Sequence, residues 1–146
     1  INARSETMAE KPFFRDSFRN RRCLAPADGW YEWKTEGKRK TPYFIHLPGE
    51  ESFAFAGLWD RWEGTEVDPF ASYAVITKEA HESIGFIHHR MPVILPERHW
   101  GTWLDASASI EKISTALKDA LGGFENRTVS DLVNDVKTKG PNSRKL

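Results

Sequence analysis

Cysteine is nearly absent from this chain. One residue of 146, Cys23, carries a thiol, which excludes an internal disulfide framework and suits a reducing compartment. Long apolar runs are missing too. None approaches the roughly 20 residues of a membrane-spanning helix, so no membrane partner is expected, and the first residues lack the basic-then-apolar order of a secretory signal. Nor is there an excess of either charge. Lysine plus arginine number 21, as do aspartate plus glutamate, so bulk charge points neither to nucleic acid nor to an acidic partner. No G-x-S-x-G elbow and no glycine-rich phosphate loop occurs. His81, His88, His89 and His99 lack the i, i+4 spacing of a zinc-binding helix, and Cys23 has no cysteine beside it. Neither metal nor other cofactor is expected.

What is present is unevenly placed. Between Lys11 and Arg22 five basic residues (Lys11, Arg15, Arg19, Arg21, Arg22) stand against one acid, Asp16. Phe14/Phe18 and Arg15/Arg19/Arg22 fall at helical spacing, which predicts a short helix with buried phenylalanines and an arginine stripe. Six tryptophans are many for this length. Aromatic faces beside arginines commonly hold single-stranded nucleic acid, although most of the six read as core.

The order of elements predicts an α+β domain spanning 1–146, with a frayed polar tail at 137–146. "RCLAPADGWYEWKT" reads as a strand broken by a turn at Pro26 to Gly29. "TPYFIHL", "SFAFAGLWDRW" and "FASYAVIT" are three further strands in a predicted antiparallel meander. "MPVILP" is a short extended segment bounded by prolines. A helix is expected to open on Pro96 with Trp100, Trp103 and Leu104 on one face. A second carries Ile110, Ile113, Leu117 and Leu121 and ends at Gly122 and Gly123. "RTVSDLVNDV" suggests a last strand.

Two segments hold chemistry. In "ADGWYEW", strand alternation puts Glu32 opposite Tyr31 and Trp33 and on the face of Trp30. A carboxylate beside aromatics is suited to moving a proton, whereas the same pattern also describes a surface glutamate. In "HHRMP", an extended chain would place His88 and Arg90 on one face and His89 on the other. An imidazole and a guanidinium could then converge on an anionic or sugar-phosphate ligand, or serve as a structural histidine and a surface arginine. Cys23, amid arginines, reads as a buried, inert thiol rather than a nucleophile.

The ordered set "NARSET", "RRCLAPADGWYEW", "PYFIHL", "FAGLWDRW", "VITKEA", "HHRMPVIL" and "VSDLVNDV" closely resembles the SRAP family, the SOS response-associated peptidase or abasic-site processing proteins. The resemblance covers residue 2 to about 136. It implies curved, mainly antiparallel β-sheets in a barrel-like core with peripheral helices. It also implies an activity on abasic sites in single-stranded DNA: a cysteine that becomes residue one after methionine removal links covalently to the ring-opened sugar as a thiazolidine. By the same resemblance, Asn2 positions that cysteine and the sugar. Glu32 acts on the α-amine and supports removal of the leading methionine, and His88 assists ring opening. Arg4 binds a phosphate and Arg90 and Trp33 help hold phosphates and bases; apart from the resemblance, the arginine stripe adds Arg15 and Arg19 to the expected DNA-binding residues.

The family's cysteine stands in a Cys-Gly-Arg opening upstream of N-x-R-x-E, whereas this chain starts one residue before that motif, so the domain is expected to be N-terminally incomplete and inactive by itself. A monomer is expected, although the residues leave the oligomeric state open, cytoplasmic and nucleoid-associated in a bacterium or nuclear in a eukaryote. The alternative is a non-catalytic single-stranded nucleic-acid-binding module.

Overall fold

The computed structural model describes residues 2–64 and 68–134; the predicted tail at 137–146 lies outside them. The described residues group into two compact units. One is drawn from Ile1–Pro26, Phe53–Lys78 and Pro92–Leu121, the other from Ala27–Ser52, Glu79–Met91 and Gly122–Leu146. The fold is α+β, with strands dominating and few helices.

In the first unit, β1 (Asn2–Arg4) alternates: Ala3 is buried while Asn2 and Arg4 face outward. It pairs in parallel with β6 (Phe70–Glu79), Asn2 opposite Val75 and Arg4 opposite Thr77. β6 pairs antiparallel with β5 (Phe53–Trp62), which also takes β8 (Ile94–Leu95) and β2 (Arg22–Ala27); of the short β7 (Arg90–Pro92) only Pro92 belongs to this unit. The predicted meander is therefore corrected, because β2 pairs with β5 rather than with the strand that follows it and β1 is parallel. Apolar patterning fixes which face of a strand is buried, not which edge it joins.

The helix at α1 (Arg15–Asn20) buries Phe18 as predicted, but the arginine stripe is shorter than expected. Arg22 is buried. Its guanidinium donates to the carbonyls of Trp103 (2.7 Å), Phe18 (2.7 Å), Arg19 (2.7 Å) and Asp105 (2.6 Å). These bonds satisfy carbonyls at two helix ends, where intrahelical partners run out. Arg21 is held by Asp16 at 2.7 Å and Asp60 at 3.4 Å. Arg15 and Arg19 are left exposed, one turn apart.

The helix expected at Pro96 is a 3-10 turn, Glu97–His99, continued by α2 (Trp100–Leu104). Trp103 is fully buried, yet Leu104 is exposed. α3 (Ile110–Lys118) opens on Ser109, whose hydroxyl accepts the N–H of Lys112 at 3.2 Å. It buries Ile113 and Ala116 while Ile110 stays exposed. It also stops short of the predicted Leu121, whose N–H bonds the Ile94 carbonyl at 2.8 Å. A partner strand has captured the backbone group that a longer helix would need. Ala3, Met8, Phe18, Ile76, Trp103 and Ile113 lie in the core of this unit.

The second unit is a three-stranded sheet in the order β3 (Trp30–Glu36), β4 (Arg39–His46), β9 (Glu125–Thr128). Gly37, at φ +61°, makes the tight β3–β4 connection. Pro26 sits within β2, so the break before β3 is confined to Asp28 and Gly29. The last strand ends at Thr128 and gives way to a 3-10 turn over Asp131–Asn134; residues 135 and 136 of that predicted strand lie outside the described residues. Phe44, Val129 and Val133 form the core, with Tyr31 and Trp33 packed on it.

Candidate functional site

The cleft of interest follows from one proline in the second unit. Along the β3–β4 hairpin Glu36 faces Arg39 and Trp33 faces Pro42. Antiparallel pairs alternate between exchanging hydrogen bonds and not. Pro42 has no N–H, and its carbonyl accepts from Val129 at 3.1 Å on the side away from β3. The Trp33 N–H consequently points to the outer edge of β3, an edge strand among the described residues. The Glu32 carboxylate folds over to accept it, at 3.3 Å.

Both faces of this edge contribute to the site. On one face, Trp30 meets Phe124 edge-on at 5.1 Å, Tyr43 meets Phe86 edge-on at 5.8 Å, and Lys34 lies 5.6 Å over Phe86. Glu32 shares this aromatic-lined face. Lys34 is bonded to Glu36 at 2.8 Å, and this hydrogen bond holds its ammonium above the usual lysine range. On the other face, Trp33 leans on the core and donates its indole N–H to Asn134 Oδ1 at 2.9 Å. An open cleft of about 570 Å³ wraps the edge, lined by Glu32, Trp33, Thr35, Lys40, His88 and Asn134.

His88 reaches the cleft from the 80–89 loop, which is tied down locally. The Ala80 N–H bonds the His89 carbonyl at 2.9 Å. His81 Nδ1 accepts from the N–H groups of Ser83 (3.1 Å) and Gly123 (3.3 Å). His88 Nδ1 accepts the Arg90 N–H at 3.1 Å. The Arg90 carbonyl lies 3.2 Å from the same nitrogen, so Nδ1 has a main-chain partner whether it accepts or donates there. His89 does not point away as the extended reading expected: the chain bends, and the two rings stack at 4.6 Å.

The sequence-predicted residues are distributed as follows. Glu32, Trp33 and His88 line one cleft. Arg90 is half-buried and not among the lining side chains; it holds His88 through its main chain. Asn2, Arg4, Arg15 and Arg19 belong to the first unit, the first two side by side on the outward face of β1. Cys23 is there too, in β2, and burial pushes its thiol above the usual range. Thr35, Lys40 and Asn134 were not singled out from sequence. The "VSDLVNDV" motif contained the only signal for Asn134, and nothing marked Lys40 within "GKRK". Among the described residues no cluster of His, Cys, Asp and Glu could hold a metal ion.

Comparison with known proteins adds a second line of evidence. The family model for SOS response associated peptidase (SRAP) matches residues 1–136. The chain is 39% identical over 144 residues to the Bacillus subtilis abasic site processing protein YoqW, covering 97% of this chain and 64% of that protein. It is 32% identical over 160 residues to the Xenopus tropicalis abasic site processing protein HMCES, covering 96% of this chain and 48% of that one. The chain thus spans about half to two thirds of these relatives. A Bacteroides thetaiotaomicron protein solved by X-ray crystallography superposes with a TM-score of 0.86 at 29% identity, over 98% of this chain and 64% of that one.

Proposed function

The chain belongs to the SOS response associated peptidase (SRAP) family, and on that premise we propose that it carries the acid–base half of a site that captures abasic sites in single-stranded DNA. The observation behind this reading is the pairing of Glu32 and His88 in one open cleft beside Trp33. The names of the relatives, abasic site processing proteins, supply the substrate.

In this reading His88 gives its Nε2 proton to the sugar ring oxygen, opening the ring to the aldehyde. Glu32 takes a proton from the α-amine of an N-terminal cysteine. That amine is suited to the task because its ordinary pKa of about 7.7–8.0 leaves a neutral fraction at physiological pH. The amine adds to the aldehyde carbon and water leaves, giving a Schiff base. The thiol sulfur then bonds to the same carbon and the nitrogen takes up a proton, closing a thiazolidine. Asn2 orients the cysteine and the sugar, and Arg4, Arg90, Arg15 and Arg19 engage the strand. The same carboxylate supports removal of the leading methionine, which exposes the α-amine.

These 146 residues contain no cysteine other than Cys23, whose amine is in a peptide bond and whose thiol is half-buried in β2. Incubated with abasic single-stranded DNA and run on a denaturing gel, the chain as given should therefore form no stable crosslink. A family N-terminal segment beginning Met-Cys-Gly-Arg, fused ahead of Asn2, should restore one, and Glu32→Gln in that fusion should lower its rate by about 10²-fold or more. A crosslink formed by the unfused chain, or an unaffected Glu32→Gln fusion, would overturn the assignment.

A further inference from the structure

The cleft is larger and more one-sided than a proton-transfer pair requires. Glu32 lies on one face of β3, whereas Trp33, Thr35 and, across the hairpin, Lys40 share the opposite face. Asn134 joins that second face through its bond to Trp33. An indole N–H can only donate, so its 2.9 Å contact fixes the Asn134 amide with oxygen toward Trp33 and the NH₂ group turned outward. Asn134 is exposed, and no partner for that NH₂ occurs among the described residues. Lys40 is likewise exposed and has no acidic partner among them, unlike Lys34 on the other face. This part of the cleft therefore offers an ammonium, an amide NH₂ and a hydroxyl beside an aromatic ring, and the Glu32 carboxylate at its border is engaged by the Trp33 N–H.

We propose that Lys40 and Asn134 form a phosphodiester-binding subsite, which grips the DNA backbone next to the abasic sugar and carries the strand over the free edge of β3. The inference rests on the reading of the cleft as a single-stranded-DNA site. An exposed ammonium and an outward amide NH₂ fit a phosphate, whose oxygens only accept, and a hydroxyl can donate to it as well. The Trp33 ring provides a stacking surface for the adjoining base.

Asn134 also braces Trp33, and the two roles separate cleanly. Asn134→Asp keeps an oxygen for the indole N–H and replaces the outward donors with negative charge. Asn134→Ala loses both. The test is fluorescence anisotropy with a single-stranded oligonucleotide carrying a tetrahydrofuran abasic analogue, which binds without reacting, across a salt series. The subsite requires Asn134→Asp to bind more weakly than Asn134→Ala and about tenfold or more below the unaltered chain. Lys40→Gln should lower the slope of log K against log salt by about 0.7, the value for one phosphate contact on a single strand. Replacing the phosphodiesters flanking the analogue by methylphosphonates should abolish the difference between Lys40→Gln and the unaltered chain.

If Asn134→Asp binds like the unaltered chain while Asn134→Ala is weakened, the residue is only a brace and the subsite is wrong. A Lys40→Gln defect that persists on the methylphosphonate strand places the lysine's contact elsewhere and overturns it as well. If the unaltered chain binds no single-stranded DNA, the reading of the whole cleft fails, and the subsite with it.

Discussion

At the scale of single residues, the site depends on how closely the backbone before β3 can approach β4. A Cβ built on Gly29 would lie 2.3 Å from Phe44 Cζ and 2.6 Å from the Ile45 carbonyl oxygen. The ring can yield, but the strand carbonyl cannot move without disturbing β4. Gly29→Ala is therefore expected to destabilise the second unit by about 1–3 kcal/mol, the usual range for overpacking. Urea denaturation followed by tryptophan fluorescence measures this, and an unchanged midpoint would show that the approach is not constrained. The requirement could not be read from "PADGWYEW", where Gly29 suggests a turn conformation; its φ is in fact not positive, and what excludes a side chain is the Ile45 carbonyl, far along the chain in β4. Glu32 differs. Its face followed from strict strand alternation, because a period of two needs only local information.

At the scale of elements, Arg22 shows where sequence periodicity misleads. It continues the spacing of Arg15 and Arg19, yet the helix ends at Asn20 and Arg22 turns inward onto four carbonyls. Long-range partners 81 and 83 residues away decided this, and no local pattern encodes them. Arg22→Ala should leave those carbonyls short of donors inside the protein, at a cost of about 3–5 kcal/mol, comparable to breaking a buried charged network. Arg22→Lys should recover little, since one ammonium cannot reproduce a planar fork that spans two helix ends. Thermal unfolding of the two variants distinguishes a geometric role from a charge role; full rescue by lysine would favour charge. The same logic explains α3. Its apolar spacing ran on to Leu121, but a tertiary hydrogen bond to Ile94 ended the helix early. Strands in hairpins were legible because their patterns and turns lie together, whereas the parallel β1–β6 pair joins residues more than 70 apart.

At the scale of the whole molecule, the charges balance at 21 against 21, so acid sensitivity should begin with particular partners rather than with general repulsion. The Arg21 hydrogen bond holds the Asp16 carboxyl below its usual range, with Asn20 adding to it. Hydrogen bonds from the Ser107 hydroxyl and N–H do the same for Asp105, and those from His99 and Arg98 for Asp119. A carboxyl whose folded pKa is depressed binds fewer protons in the native state than in the unfolded chain. Its contribution is complete above the unfolded value, about 3.9 for aspartate, and is lost as pH falls through the lowered folded value. All three side chains are exposed, so each effect is small and screened by salt. The combined variant Asp16→Asn, Asp105→Asn, Asp119→Asn should therefore have a lower urea midpoint at pH 6 and a flatter decline below pH 4 than the unaltered chain. General repulsion makes a different prediction. The triple variant is more positive near neutrality but matches the parent once the aspartates are protonated, so repulsion acting on the compact state would be relieved by 1 M salt, restoring the variant to the parent's midpoint. Loss of specific partners leaves a deficit at high salt, because each asparagine keeps an acceptor oxygen but the hydrogen bond it takes is no longer assisted by charge and is weaker. Urea midpoints at pH 3, 4 and 6, each at 0.1 and 1 M salt, separate the two, and an acid decline as steep in the variant as in the parent would rule out these three carboxylates as its source.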